Sequence, residues 1–142
     1  MIVKVENEKK ISVTGSQQVY RFIWGLIDCM PAFDKEKEHL YVVGVNRAFR
    51  IKYVDWVAMG TMHGLVAGPR EIFRNAIHLG ASSIVLAHNH PSGSVKPSRE
   101  DINMTKNMVQ AGKILNINVV DHLIVSGEGY YSFADEGVLG EE

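Results

Sequence analysis

Apolar residues recur along this chain in two rhythms, one with the spacing of a helix and one with that of a strand. In "GSQQVYRFIWGLIDCM", Val19, Phe22, Ile23, Leu26, Ile27 and Met30 return every three or four positions, so one helical face carries them all. Ser16 is the expected N-cap and Pro31 the stop. "EHLYVVGVN" and "FRIKYVDWVAMG" are instead dense in β-branched and aromatic residues. The polar break "NRA" divides them, as in an antiparallel hairpin. The glycine-punctuated "GTMHGLVAG" then leads into a helix opening at Pro69, where a missing amide does no harm. That helix is expected to bury Ile72, Phe73, Ala76 and Ile77 and to close at Gly80.

"SSIVLAH" is a short apolar run bounded by turn residues, which reads as a buried strand. "SREDINMTKNMVQAGKIL" sets Ile102, Thr105, Met108, Val109, Gly112 and Leu115 on one helical face. "INVVDHLIVS" and "YYSF" read as two closing strands joined by "GEG". The order is helix, two strands, helix, strand, helix, two strands. It predicts an α/β fold with a single mixed β-sheet flanked by helices.

Composition narrows the class of protein. At 142 residues, 46% apolar and 22% charged, the chain suits one globular domain over 1–142 with a real core, and disorder is not expected. A net charge of −1 gives no support to a dedicated nucleic-acid binder. Cys29 is the single cysteine, so neither a disulfide framework nor a cysteine-rich zinc site can be built. No apolar run reaches the roughly 18 residues that span a bilayer, and the charged "MIVKVENEKK" is no signal peptide. A cytoplasmic location without membrane association is expected.

The chemistry concentrates in "LAHNHPSGSVKPSRED". On a strand, side chains two apart point the same way, so His88 and His90 can offer their imidazoles to one point. Pro91 and the small residues after it turn the chain into a helix whose first turn holds Asp101. Two nitrogens and a carboxylate, with one position left for water, are the ligand set of an open zinc site. The bland alternative is that Ser98 and Asp101 form only a capping box. A mononuclear iron(II) site would also accept two histidines and a carboxylate.

His88-x-His90-Pro91 followed by Ser98-x-x-Asp101 resembles the motif of the JAMM (MPN or JAB) metalloprotease domain family. The text "PREIFRNAI", "AHNHPSG", "PSREDI" and "DHLIV" is similar to its RadC-like branch, over about 38–137. The resemblance implies a JAMM/MPN-like, cytidine-deaminase-like architecture. It also implies one zinc ion per chain on His88, His90 and Asp101. Glu38, opening "EHLYVV", takes the place of the general base, and Ser98 that of the oxyanion donor. By itself, a charged residue at a strand start reads as a solvated end. Asp121 and His122 are candidates to orient a ligand from behind the metal. His39 is expected on the face opposite Glu38, His63 in a loop and His78 on the surface near a helix end, while Tyr130 and Tyr131 are expected to serve the sheet.

The activity implied is hydrolysis of a peptide or isopeptide bond in an unidentified peptide or protein substrate. A different class remains open: a DNA repair or mobile-element accessory protein that uses the fold as a binding module. Longer RadC-like proteins carry an N-terminal helix-hairpin-helix-type region that these residues do not supply. Gly68 and His63 also stand where relatives often have histidine and asparagine. A nucleobase deaminase is excluded, because Pro-Cys-x-x-Cys cannot be built from Cys29 alone. Exposed edge strands in so small a sheet make a homodimer a reasonable expectation.

Overall fold

Alternate residues of the two central strands face two separate cores, and this two-sidedness organises the molecule. The computed structural model describes residues 1–3, 11–60 and 67–139. Six strands form one sheet: β1 (Ile2–Val3), β2 (Glu38–Val45), β3 (Ile51–Gly60), β4 (Ser83–Asn89), β5 (Asn118–Ser126) and β6 (Gly129–Ser132). Their spatial order is β1-β3-β2-β4-β5-β6. The β4–β5 pair is parallel and every other pair is antiparallel, so the sheet is mixed. Four helices accompany it: α1 (Ser16–Asp28), α2 (Ala32–Lys35), α3 (Pro69–Leu79) and α4 (Arg99–Leu115).

On one face, Val19, Ile23 and Ile27 of α1 pack against Tyr41, Val43, Val45, Val85, Ala87, Leu123 and Val125. On the other, Ile72, Phe73 and Ala76 of α3 and Met108 of α4 cover Leu40, Val42, Ile84 and Leu86. Every one of these side chains is at most 5% exposed. At about 25 cal/mol per Å² of apolar surface, burial on this scale is the main force holding the layers together. The same alternation orients His88. Leu86 faces α3 and α4, so the imidazole two residues on faces them too.

Helix α3 opens at Pro69 and closes on Gly80, whose φ of 70° is the left-handed conformation glycine adopts freely. At Gly44 the ring of Tyr53 lies directly over the backbone, where an added Cβ would stand 2.0 Å from Cε1. A side chain there would collide with the neighbouring strand. Three details differ from the sequence reading. Gly15, not Ser16, is the N-cap of α1, and the Ser16 hydroxyl instead bonds Tyr130 and Asp135. Ile77 is 58% exposed, while Ile102 and Leu115 are 41% and 40% exposed, because the apolar faces of α3 and α4 are wider than the sheet they cover. The two-residue β1 and the single turn α2 carry too few residues to show a period.

Candidate functional site

His88 is the last residue but one of β4, on the face covered by α4, and His90 follows where the chain leaves the sheet. Asp101 comes from the first turn of α4. The crossover from β4 through α4 to β5 therefore brings the three together. His88 Nε2 lies 3.1 Å from Asp101 Oδ1, His90 Nε2 lies 2.9 Å from Oδ2, and the two Nε2 atoms are 3.2 Å apart. One ligand atom from each residue falls within 4.8 Å of the others.

The protons in this cluster can be placed by elimination. Thr105 Oγ1 lies 2.7 Å from the Asp101 carbonyl, which can only accept, so the hydroxyl proton goes there. Thr105 Oγ1 is also 2.6 Å from His122 Nδ1 and must accept from it. His122 is fully buried, and removal from water pushes its pKa well below the usual imidazole range, so it is neutral. Its Nε2 is then bare and accepts from His88 Nδ1 at 2.7 Å. His90 Nδ1 donates to the Ser94 carbonyl at 2.9 Å. Both Nε2 atoms face the ionised Asp101 carboxylate and share their protons with it, which raises the His90 pKa, and a divalent cation would take the place of those protons. Three lone-pair donors converging on one point fit a divalent cation, with each imidazole locked in the ligating tautomer from behind.

The carboxylate is equally prepared. Burial raises the Asp101 pKa, but hydrogen bonds from His88, His90 and the Ser98 amide outweigh it and hold it far below the usual carboxylate range. Ser98 is the N-cap of α4: its Oγ accepts from Asp101 N at 3.1 Å, and its own N–H donates to Asp101 Oδ2 at 2.9 Å. The capping box and the ligand cluster are thus one structure. In the sequence they stood as alternatives.

His88, His90 and Asp101 line a cleft of about 760 Å³, together with Glu38, Ser98, Met104 and Ala67. Glu38 opens β2 and is half-buried. Burial raises its pKa above the usual carboxylate value, His88 and His90 pull it back, and Asp101 pushes it up again. A carboxylate moved toward neutrality is better suited to carrying a proton in both directions.

Of the two residues expected behind the metal, His122 touches His88 and Asp121 touches no member of the cluster. Asp121 instead accepts from Ser132 Oγ at 2.5 Å, Ala134 N at 2.9 Å and His122 N at 2.7 Å, tying the end of the chain to β5. A bulge decides which one turns inward. Ile84 pairs with Val119 but Val85 pairs with Asp121, so Val120 is an extra residue in β5. Beyond it His122 pairs with Leu86 and shares its face. Phe133 stacks on the far side of the His122 ring, 4.9 Å away and 6° from parallel. Thr105 was expected only as part of a buried helix face, and its hydroxyl gave no separate signal.

The other singled-out residues lie apart. His39 is buried on the opposite side of β2, beside Trp56, with Nε2 bonded to the Asp34 carbonyl. His78 is exposed in the last turn of α3. His63 falls outside the described residues. Tyr130 stacks on Tyr20, and Tyr131 sets its edge against Phe133.

The fold and the site together define an α/β domain with a candidate metal centre of two histidines and an aspartate, open to a cleft. The chain belongs to the RadC-like JAB domain family, whose model matches residues 13–138. It is 39% identical over 127 residues to a "UPF0758 protein" of Chlorobaculum parvum, covering 89% of this chain and 55% of that protein. It is 45% identical over 104 residues to a "UPF0758 protein" of Rubrobacter xylanophilus, covering 73% and 45%. The chain thus spans about half the length of the curated relatives it matches. No helix among the described residues is long and apolar enough to cross a membrane.

Proposed function

We propose that this chain is a zinc-dependent hydrolase that cleaves a peptide or isopeptide bond. One observation carries the reading. His122 and the Ser94 carbonyl take the Nδ1 protons of His88 and His90, so that both Nε2 atoms and the Asp101 carboxylate aim at one point, in a cleft also lined by Glu38 and Ser98. His88, His90 and Asp101 would hold the metal, and three protein ligands leave a position for water. Zinc bound there would acidify that water and polarise the scissile carbonyl.

The remaining work falls to the chain's own groups. Glu38 takes the proton of the attacking water and returns it to the leaving amine. The Ser98 oxygen already accepts from Asp101 N, and no acceptor among the described residues takes its proton, which can donate to an oxyanion. One hydroxyl can therefore serve the helix and the reaction at once.

The test is metal content of untagged protein, beside a His88→Ala/His90→Ala variant, followed by exposure of the zinc-loaded protein to a random peptide library. The expected result is about one zinc per chain, as the ligand set requires, none in the variant, and cleavage that Glu38→Gln abolishes without losing zinc. A parent that takes up no zinc, or that binds it and cleaves nothing while binding DNA in a salt-dependent way, overturns the proposal.

A further inference from the structure

Asn89 sits between the two histidines in sequence, yet its side chain turns away from them and toward β2. Its Oδ1 accepts from His39 N at 2.8 Å, and its Nδ2 donates to the Lys37 carbonyl at 3.0 Å. Those two atoms belong to the peptide units on either side of Glu38. The paired residues of β2 and β4 run from Val45↔Ser83 to Leu40↔His88 and stop there, although both strands continue by at least one residue. Where the ladder stops, the Asn89 carboxamide replaces it with one donor and one acceptor, as a peptide group would.

We propose that Asn89 is the positioning residue that fixes Glu38 against the metal ligands. The inference rests on the hydrolase reading for its catalytic meaning, but its geometry stands without it. With both flanking peptide units held, Glu38 has little backbone freedom left. The group holding them is covalently bonded to His88 on one side and His90 on the other. One side chain, itself only 3% exposed, thus ties the base directly to the ligand strand. On its other edge Glu38 pairs with Gly60 of β3, so the Asn89 carboxamide supplies the hold on the side of the ligands.

The chemistry of the side chain is specific. Aspartate could still accept from His39 N–H, but a carboxylate facing the Lys37 carbonyl has no proton to give. Alanine would leave both backbone groups without this partner, and the His39 amide is buried.

The test compares the parent with Asn89→Ala, and with Asn89→Asp, which has nearly the same shape and guards against a misfolded alanine variant. Three quantities are read: zinc content, amide hydrogen exchange at His39 and along β2, and peptide-cleavage kinetics. Both variants are expected to bind zinc as the parent does. In Asn89→Ala the His39 amide should exchange at least about tenfold faster, as the loss of a buried partner requires, while Leu40 to Val45 stay protected. In both variants kcat should fall by roughly 10- to 100-fold with KM nearly unchanged, the mark of a misplaced group rather than lost binding. A His39 exchange rate unchanged in Asn89→Ala overturns the clamp, and so does loss of zinc from Asn89→Asp. Faster exchange with unaltered kcat overturns the positioning role. A parent that binds zinc yet cleaves nothing removes the hydrolase reading instead, and the exchange comparison still decides the clamp.

Discussion

His122 Nε2 lies 2.7 Å from His88 Nδ1, and the proton between them belongs to His88. That assignment depends on a threonine one bond further back, because the Thr105 hydroxyl commits its proton to the Asp101 carbonyl. A side chain that never touches the metal point thereby decides which nitrogen of His88 is free to ligate.

Thr105→Val keeps the shape of a side chain that is 2% exposed and removes only the hydroxyl. His122 Nδ1–H is then buried without a partner, at a cost of about 1–3 kcal/mol in the metal-free protein. With the tautomer no longer fixed, zinc affinity should weaken by roughly 10- to 100-fold. Urea unfolding and competition against a chromophoric chelator measure the two effects, and unchanged affinity would refute the proton assignment.

Ser98 separates into two functions by substitution. Ser98→Ala loses the cap, about 1 kcal/mol by the usual worth of such residues, and also the oxyanion donor. Ser98→Asp keeps an acceptor for Asp101 N–H but has no proton to donate at neutral pH. Unfolding free energy should return to within about 0.5 kcal/mol of the parent, while cleavage stays as low as in the alanine variant. Recovery of turnover in Ser98→Asp would assign oxyanion stabilisation elsewhere.

Alkali should unfold the protein through its buried tyrosines. Burial pushes the Tyr41 phenol up to about 12, and burial together with the nearby Asp55 charge raises Tyr53 further still. The native state therefore holds these protons more tightly than the unfolded chain does. Their contribution is complete below the ordinary value of 10.0 and is lost as pH rises through about 12. Urea midpoints should stay level up to about pH 10 and then fall, less steeply in Tyr53→Phe. The Tyr53 hydroxyl is buried with no hydrogen-bond partner among the described residues, so that variant should be no less stable at pH 7.

Gly44→Ala should destabilise the sheet by about 2–3 kcal/mol, the range for overpacking a core. The new methyl would meet Tyr53 Cε1 at 2.0 Å, across the β2–β3 pair. Tyr53→Leu in the same chain should recover part of the loss. A purely additive double mutant would show that the two positions do not collide.

Local patterns revealed much of this molecule. The hairpin of β2 and β3, the start of α3 at Pro69 and its end at Gly80 follow from residues that neighbour one another in sequence. The convergence of His88, His90 and Asp101 was legible for the same reason, since one strand, loop and helix carry all three. What stayed hidden depends on partners far along the chain. Nothing around Thr105 distinguishes a hydroxyl that fixes a tautomer from one filling a core position. Nothing around Asn89 points to Lys37 and His39, some 50 residues earlier. Ile77 was misplaced because periodicity marks a face but not how far the neighbouring layer extends beneath it.

The extra residue at Val120 shifts phase within β5. Before it, odd-numbered positions such as Val119 face the α3–α4 core, and after it even-numbered ones such as His122 do. If Val120 instead took a place in the ladder and alternation ran on unbroken from Val119, every side chain in the outer half of the strand would change sides. Leu123 would turn to the metal side, and an imidazole would be pressed into the oil beneath α1. The bulge is therefore as much a part of the candidate centre as the identity of its ligands.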